Sequence, residues 1–146
     1  TPDSGVPDSD GGGPTGSGSG GGGGGGGGTT FDDGTYLISS IFDTKVQNGA
    51  ALNTVMWLGE QPVGTAVGIQ IASSNDPDGP WVYVGPAASG IPEGNTDSAY
   101  EANPGEQFRL NPKDHNNKRY FRYKVYLHWD SGKTPKVEDV VINYSP

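Results

Sequence analysis

Nine consecutive glycines, Gly20 to Gly28, constrain this chain more than any other feature. They close a segment, residues 1–30, that holds 15 of the 26 glycines and has Val6 as its single aliphatic side chain. The segment carries no aromatic and no basic residue. It cannot bury enough apolar surface to offset the entropy of ordering it, so it does not fold alone. Every aromatic side chain and nearly every other aliphatic one falls in residues 31–146, enough for one domain with a modest core. The chain therefore reads as a Gly-rich N-terminal tail, 1–30, followed by a folded domain, 31–146.

Several functional classes drop out. No run of about 18 apolar residues exists to span a membrane as a helix. There is no cysteine, which excludes disulfide frameworks, thiol catalysis and cysteine-ligated zinc. Seventeen acidic residues against nine basic ones give a net charge of −8, the wrong sign for a nucleic-acid backbone or an anionic lipid surface. Three of the acidic residues, Asp3, Asp8 and Asp10, lie in the tail, so tail and domain are both acidic. No charged-then-apolar leader opens the chain, and an exported chain is expected to have lost its signal already.

No window of about 11 residues in the domain sustains an apolar pattern at i, i+3 and i+4, and glycine or proline interrupts most stretches. Alternation of period 2 is common instead. In 119–129, Phe121, Tyr123, Val125, Leu127 and Trp129 share one face, while Tyr120, Arg122, Lys124, Tyr126 and His128 share the other. Val67, Ile69 and Ile71 group likewise in 65–72, and Val140, Ile142 and Tyr144 in 137–144. Further strands are expected at 36–43, 52–58, 81–84, 98–102 and 107–110. Turn chemistry separates them, as at Asn48-Gly49, Asp76-Pro77-Asp78-Gly79-Pro80 and Asn103-Pro104-Gly105. About eight short strands so spaced predict an all-β domain, a two-sheet antiparallel sandwich of jelly-roll type.

Phe42-Asp43-Thr44, Leu52-Asn53-Thr54-Val55-Met56-Trp57, Gly79-Pro80-Trp81-Val82-Tyr83-Val84-Gly85, Lys118-Arg119-Tyr120-Phe121-Arg122-Tyr123-Lys124 and Val140-Val141-Ile142-Asn143-Tyr144-Ser145-Pro146 follow a recurrent pattern. From Gly34 onward the chain resembles the C-terminal β-sandwich module of prepilin-like and other secreted surface-appendage proteins of bacteria, notably of candidate phyla. The resemblance implies secretion, a place in an extracellular filament and no catalytic residues. Pilin-like chains begin with a long hydrophobic helix, and here a glycine tail stands in its place. Either that helix has been removed, or the chain polymerises through the tail.

Candidate chemistry is sparse. His115 falls in a polar turn and His128 on an outward strand face; two isolated histidines make neither a three-histidine zinc site nor a triad. Gly132-Lys133-Thr134 resembles the end of a phosphate-binding loop, but Leu127 occupies the position of its first glycine and Pro135 follows where a helix should run. Asp76 and Asp78, with Asp32-Asp33-Gly34, offer oxygens for calcium, although Asp, Pro and Gly are also what a turn requires. The chain is accordingly expected to need no cofactor and to be no enzyme.

Two features remain for function. Tyr120, Arg122, Lys124 and Tyr126 place cations and aromatics together on one strand face, a composition suited to docking an acidic partner or stacking a glycan. The tail composition is that of a flexible linker, or else of backbone that packs closely against a neighbour through Gly20, Gly21, Gly22, Gly23, Gly24, Gly25, Gly26, Gly27 and Gly28. Extended, it would reach about 90 Å, well beyond its own domain. The leading expectation is a self-assembling structural subunit at the cell surface. The alternative is a secreted carbohydrate- or protein-binding adhesion module on a glycine tether.

Overall fold

The four runs with the clearest alternation or β-rich composition become the four long strands. The computed structural model describes residues 35–130 and 132–146, so Gly20 to Gly28 and the Asp32-Asp33 pair lie outside the described residues. In chain order the elements are β1 (Tyr36–Ile38), β2 (Phe42–Asp43), β3 (Ala51–Glu60), β4 (Ala66–Ser74), β5 (Tyr100–Glu101), β6 (Phe108–Arg109), α1 (Pro112–His115), β7 (Tyr120–His128) and β8 (Lys136–Ser145). One sheet runs β1-β7-β4-β5, with β2 also on β7; the other runs β6-β3-β8. All pairs are antiparallel. The chain is thus a two-sheet β-sandwich, as the alternation predicts.

The β4–β7 ladder is regular from Ala66↔His128 to Ser74↔Tyr120. It sets Val67, Ile69 and Ile71 beside Phe121 and Val125, facing Leu52, Val55 and Trp57 of β3, in one core cluster. Burying side chains of this size stabilises by roughly 1.5–3 kcal/mol each. Trp57 is fully buried and its indole Nε1 donates to the carbonyl of Ala102 at 2.9 Å, so its polar atom is satisfied.

Strict alternation fails in two places on the β3–β8 ladder. The register shifts between Leu52 and Thr54, and again between Leu58 and Gly59. Each irregularity resets the side-chain parity. Leu52 and Val55, three apart, can therefore both be buried, and Val137 and Val140 can both pack on the core.

Other differences from the sequence expectation have local causes. The strand expected at 36–43 is broken. Tyr123 N donates to the Ser39 hydroxyl at 2.9 Å, so a side chain takes the place of a ladder carbonyl between β1 and β2. The strand expected at 81–84 reduces to a single bridge, Ile71↔Val84. Trp129 does not join its expected core face: the ladder ends at His128, and the indole beyond it is 53% exposed. One helical turn, α1, was not foreshadowed by any apolar period. Asn111 caps it by accepting from Lys113 N, and Pro112 occupies its first position.

Candidate functional site

The even-numbered residues of β7 point away from the core, but the face they form is partly roofed. The chain from Val84 to Ser98 folds back over the outer side of β4. Gln70 anchors it there, its Nε2 donating to Thr96 O at 3.0 Å and Ser98 O at 2.7 Å. Gln70 Oε1 accepts from the Tyr126 hydroxyl at 3.0 Å. Tyr126 is consequently buried, which corrects its placement on an open docking or glycan face. Alternation set Tyr126 on the outer face; it carried no information about the segment that covers that face. Gln70→Leu is expected to cost about 2 kcal/mol, because it removes the buried bond to the Tyr126 hydroxyl and both anchors on the Thr96 and Ser98 carbonyls. Urea unfolding midpoints at constant m would check this.

Beyond that roof the face holds two cations seated on aromatic rings. The Lys124 ammonium lies 4.2 Å from the Tyr36 ring centroid, 4.9 Å from that of Tyr126 and 5.7 Å from that of Tyr83. The Arg122 guanidinium lies 5.6 Å from the Trp81 ring and donates from Nε and Nη2 to Ser39 O at 3.2 and 2.7 Å. The ion pairs among the described residues are Asp43 with Lys45, Asp43 with Arg119 and Glu138 with Lys136. Arg122 and Lys124 take part in none of them. The face is therefore a positive, half-exposed patch on an acidic molecule. Tyr120 sits at its far end against Arg119, whose guanidinium is 5.1 Å from the ring.

The sequence reading found Tyr120, Arg122 and Lys124 but missed Trp81, Tyr83 and Tyr36. Trp81 and Tyr83 are two residues apart in a β-like stretch, so their shared side was legible as a pair, though not the strand they would meet. Arg119 serves another role. It grips Asp43 with Nε at 2.8 Å and Nη2 at 3.0 Å. That grip holds the Asp43 carboxyl down at about 2, with burial opposing, and ties β2 to β7.

His115 does not lie in an exposed turn, as the polar sequence around it suggests. It is buried, with Nδ1 at 2.8 Å from the Ser73 hydroxyl and Nε2 without a partner. Ser73 also donates to Asp114 O at 3.3 Å. The consistent assignment puts the ring proton on Nδ1, donating to Ser73 Oγ, and leaves a bare Nε2 lone pair, because an orphan buried N–H is the rarer defect. With Nδ1 protonated, His115 cannot take the Ser73 proton, so this serine–histidine contact acts as a brace between α1 and β4. Burial lowers the His115 pKa to about 4.

An open groove of about 480 Å³ lies alongside, lined by Ser73, Ser74, Asn75, Asp76, Pro80, Val82 and Lys118. Asp76 and Asp78, the calcium candidates, form its turn: Asp76 Oδ1 accepts from Asp78 N at 2.9 Å. Among the described residues no group of three or more His, Asp or Glu side chains is placed to hold a metal ion. No helix of the described residues is long and apolar enough to cross a membrane.

Fold and face together define the class: an antiparallel two-sheet β-sandwich bearing a cationic–aromatic outer patch. Comparison with protein-family models, with curated proteins and with solved structures found no match for this chain.

Proposed function

We propose that the chain is a structural subunit of an extracellular, pilus-like filament, with the sandwich as its body and the Gly-rich segment docking on neighbouring subunits. The observation that carries this reading is the apolar edge at residues 36–42. Tyr36 is 48% exposed, Leu37 65% and Phe42 48% on the two strands that border β7, and Ile41, in the link between them, 42%. Edge strands of solitary proteins are guarded by charge, proline or cover, because unpaired backbone groups beside apolar side chains recruit another chain. Here Leu37 and Phe42 share the inner face with Val125 and Phe121. Across the flank stands Tyr144 of β8, whose ring centroid is 6.2 Å from that of Phe42. A neighbouring subunit would cover this flank and extend the sheet.

Electron micrographs of the full chain over a range of concentrations test the proposal. Regular filaments are expected, and Leu37→Lys should raise the concentration at which they form about tenfold without lowering the Tm, since the side chain is mostly solvated. Dispersed particles of 15.1 kDa at every concentration would sink it. The second reading, a carbohydrate- or protein-binding adhesion module, is favoured by the cationic–aromatic patch. It predicts a dispersed monomer that captures an external ligand.

A further inference from the structure

We infer that the patch formed by Arg122, Lys124, Trp81, Tyr83 and Tyr36 is the receptor for the acidic segment 1–10 of a second copy of this chain. The inference rests on the filament reading and gives it a specific contact. Its first support is charge. Arg122 and Lys124 are half-exposed, enter no ion pair among the described residues and sit in a molecule of net charge −8. The residues Thr1-Pro2-Asp3-Ser4-Gly5-Val6-Pro7-Asp8-Ser9-Asp10 carry three carboxylates and no basic side chain.

The second support is the pairing of chemistries. Pro2-Asp3 and Pro7-Asp8 each join a proline to a carboxylate. Proline-containing extended segments dock on aromatic rings with little entropy to lose. The patch offers rings and cations in the same pairing: Trp81 with Arg122, and Tyr36 and Tyr83 with Lys124. The rings do not form a flat sugar platform, since Tyr36 and Tyr126 are inclined at 54° and both face the Lys124 ammonium. An acidic peptide suits this arrangement better than a stacked glycan.

The third support is length. Residues 11–34 separate Asp10 from the first described residue, Thr35, which lies beside Tyr36 of the patch itself. Those 24 residues could extend about 80 Å, whereas a domain of this size is roughly 35 Å across. Returning to a patch at the root of the same tail would need only a few residues. A spacer of this reach fits a patch on another subunit.

The test uses the full chain carrying Asp3→Asn, Asp8→Asn and Asp10→Asn as receptor, and a fluorescent peptide of residues 1–10 as probe, followed by anisotropy. Binding is expected at low salt and should be lost in 0.5 M NaCl, where exposed charges are screened. Lys124→Gln in the receptor should weaken it about tenfold, the effect of one charged hydrogen bond. Lys124→Arg should restore it, and the Asn form of the peptide should not bind.

Absence of binding, or binding indifferent to Lys124, overturns the assignment. So does tighter binding of polygalacturonate than of the peptide, which would give the patch to a glycan. Mixing the triple-Asn chain with a Lys124→Gln chain then tests the second-copy claim. Each alone should sediment as a monomer and the mixture as a dimer; a mixture that stays monomeric would place the contact within one chain and refute it. Filaments that persist in both variants would refute the docking while leaving the filament reading intact. Peptide binding and mixed dimers without wild-type filaments would do the reverse.

Discussion

Gly85→Ala is expected to lower the stability of the sandwich by about 3 kcal/mol and its Tm by roughly 10–20 °C. Gly85 follows Val84, whose backbone bridges Ile71, and its N–H donates to Asn95 O at 3.0 Å. A methyl group built there would overlap the backbone of Ser98 and Ala99. Backbone cannot swing aside as a flexible side chain can. The Ser98 carbonyl is also held by Gln70, so retreat would break that bond as well. The roof over β4 would lift, loosening Trp81 and Tyr83 of the cationic–aromatic patch together with the core beneath Ile71. Gly90→Ala is the control. Gly90, unlike Gly85, is a turn glycine with φ of 78°, and an added methyl there meets nothing within 4 Å. It should cost only the left-handed backbone strain, about 1 kcal/mol. Urea melts that give the two variants equal losses would show that the Gly85–Ser98 approach is not tight.

This contrast also marks what the sequence could convey. Alternation recovers β4, β7 and β8, along with most of their inward residues, because a strand that is buried on one face must repeat every second position. Its failures share a cause: they depend on contacts between residues far apart in the chain. Trp129 follows the pattern of β7 but has no strand opposite. Gln70 reads as an ordinary outward polar residue until the segment 84–98 crosses it and turns it into an anchor. Tyr126 follows Gln70 under that roof. The candidate patch was half legible, since Arg122 and Lys124 lie on one strand while Trp81, Tyr83 and Tyr36 come from two other segments. No local period connects them.

His115 is the buried group that sequence context hid most completely, and it makes acid stability a sharp test of the structure. Burial favours its neutral form and lowers its pKa from 6.5 to about 4, against the opposing pull of Asp114 and with a small contribution from Lys118. Between those two values the unfolded chain binds a proton that the native chain refuses. Stability must therefore be full above about pH 6.5 and fall as the pH drops toward 4, with no further loss from this group below that. The decline amounts to roughly 3 kcal/mol over the window. Asp43, whose carboxyl stays ionised down to about 2, acts only at lower pH and leaves the window clear. His115→Gln removes the titration. That variant should be less stable than the parent at pH 7, because it disturbs the contact with Ser73, yet it should lose less on acidification. Urea midpoints measured at pH 7.5, 5.5 and 4.5 for both proteins isolate the histidine from the carboxylates that titrate in each. The difference between the two proteins should shrink steadily as the pH falls. A difference that stays constant across the series would mean that His115 is solvated in the folded chain, and the brace between α1 and β4 would have to be redrawn.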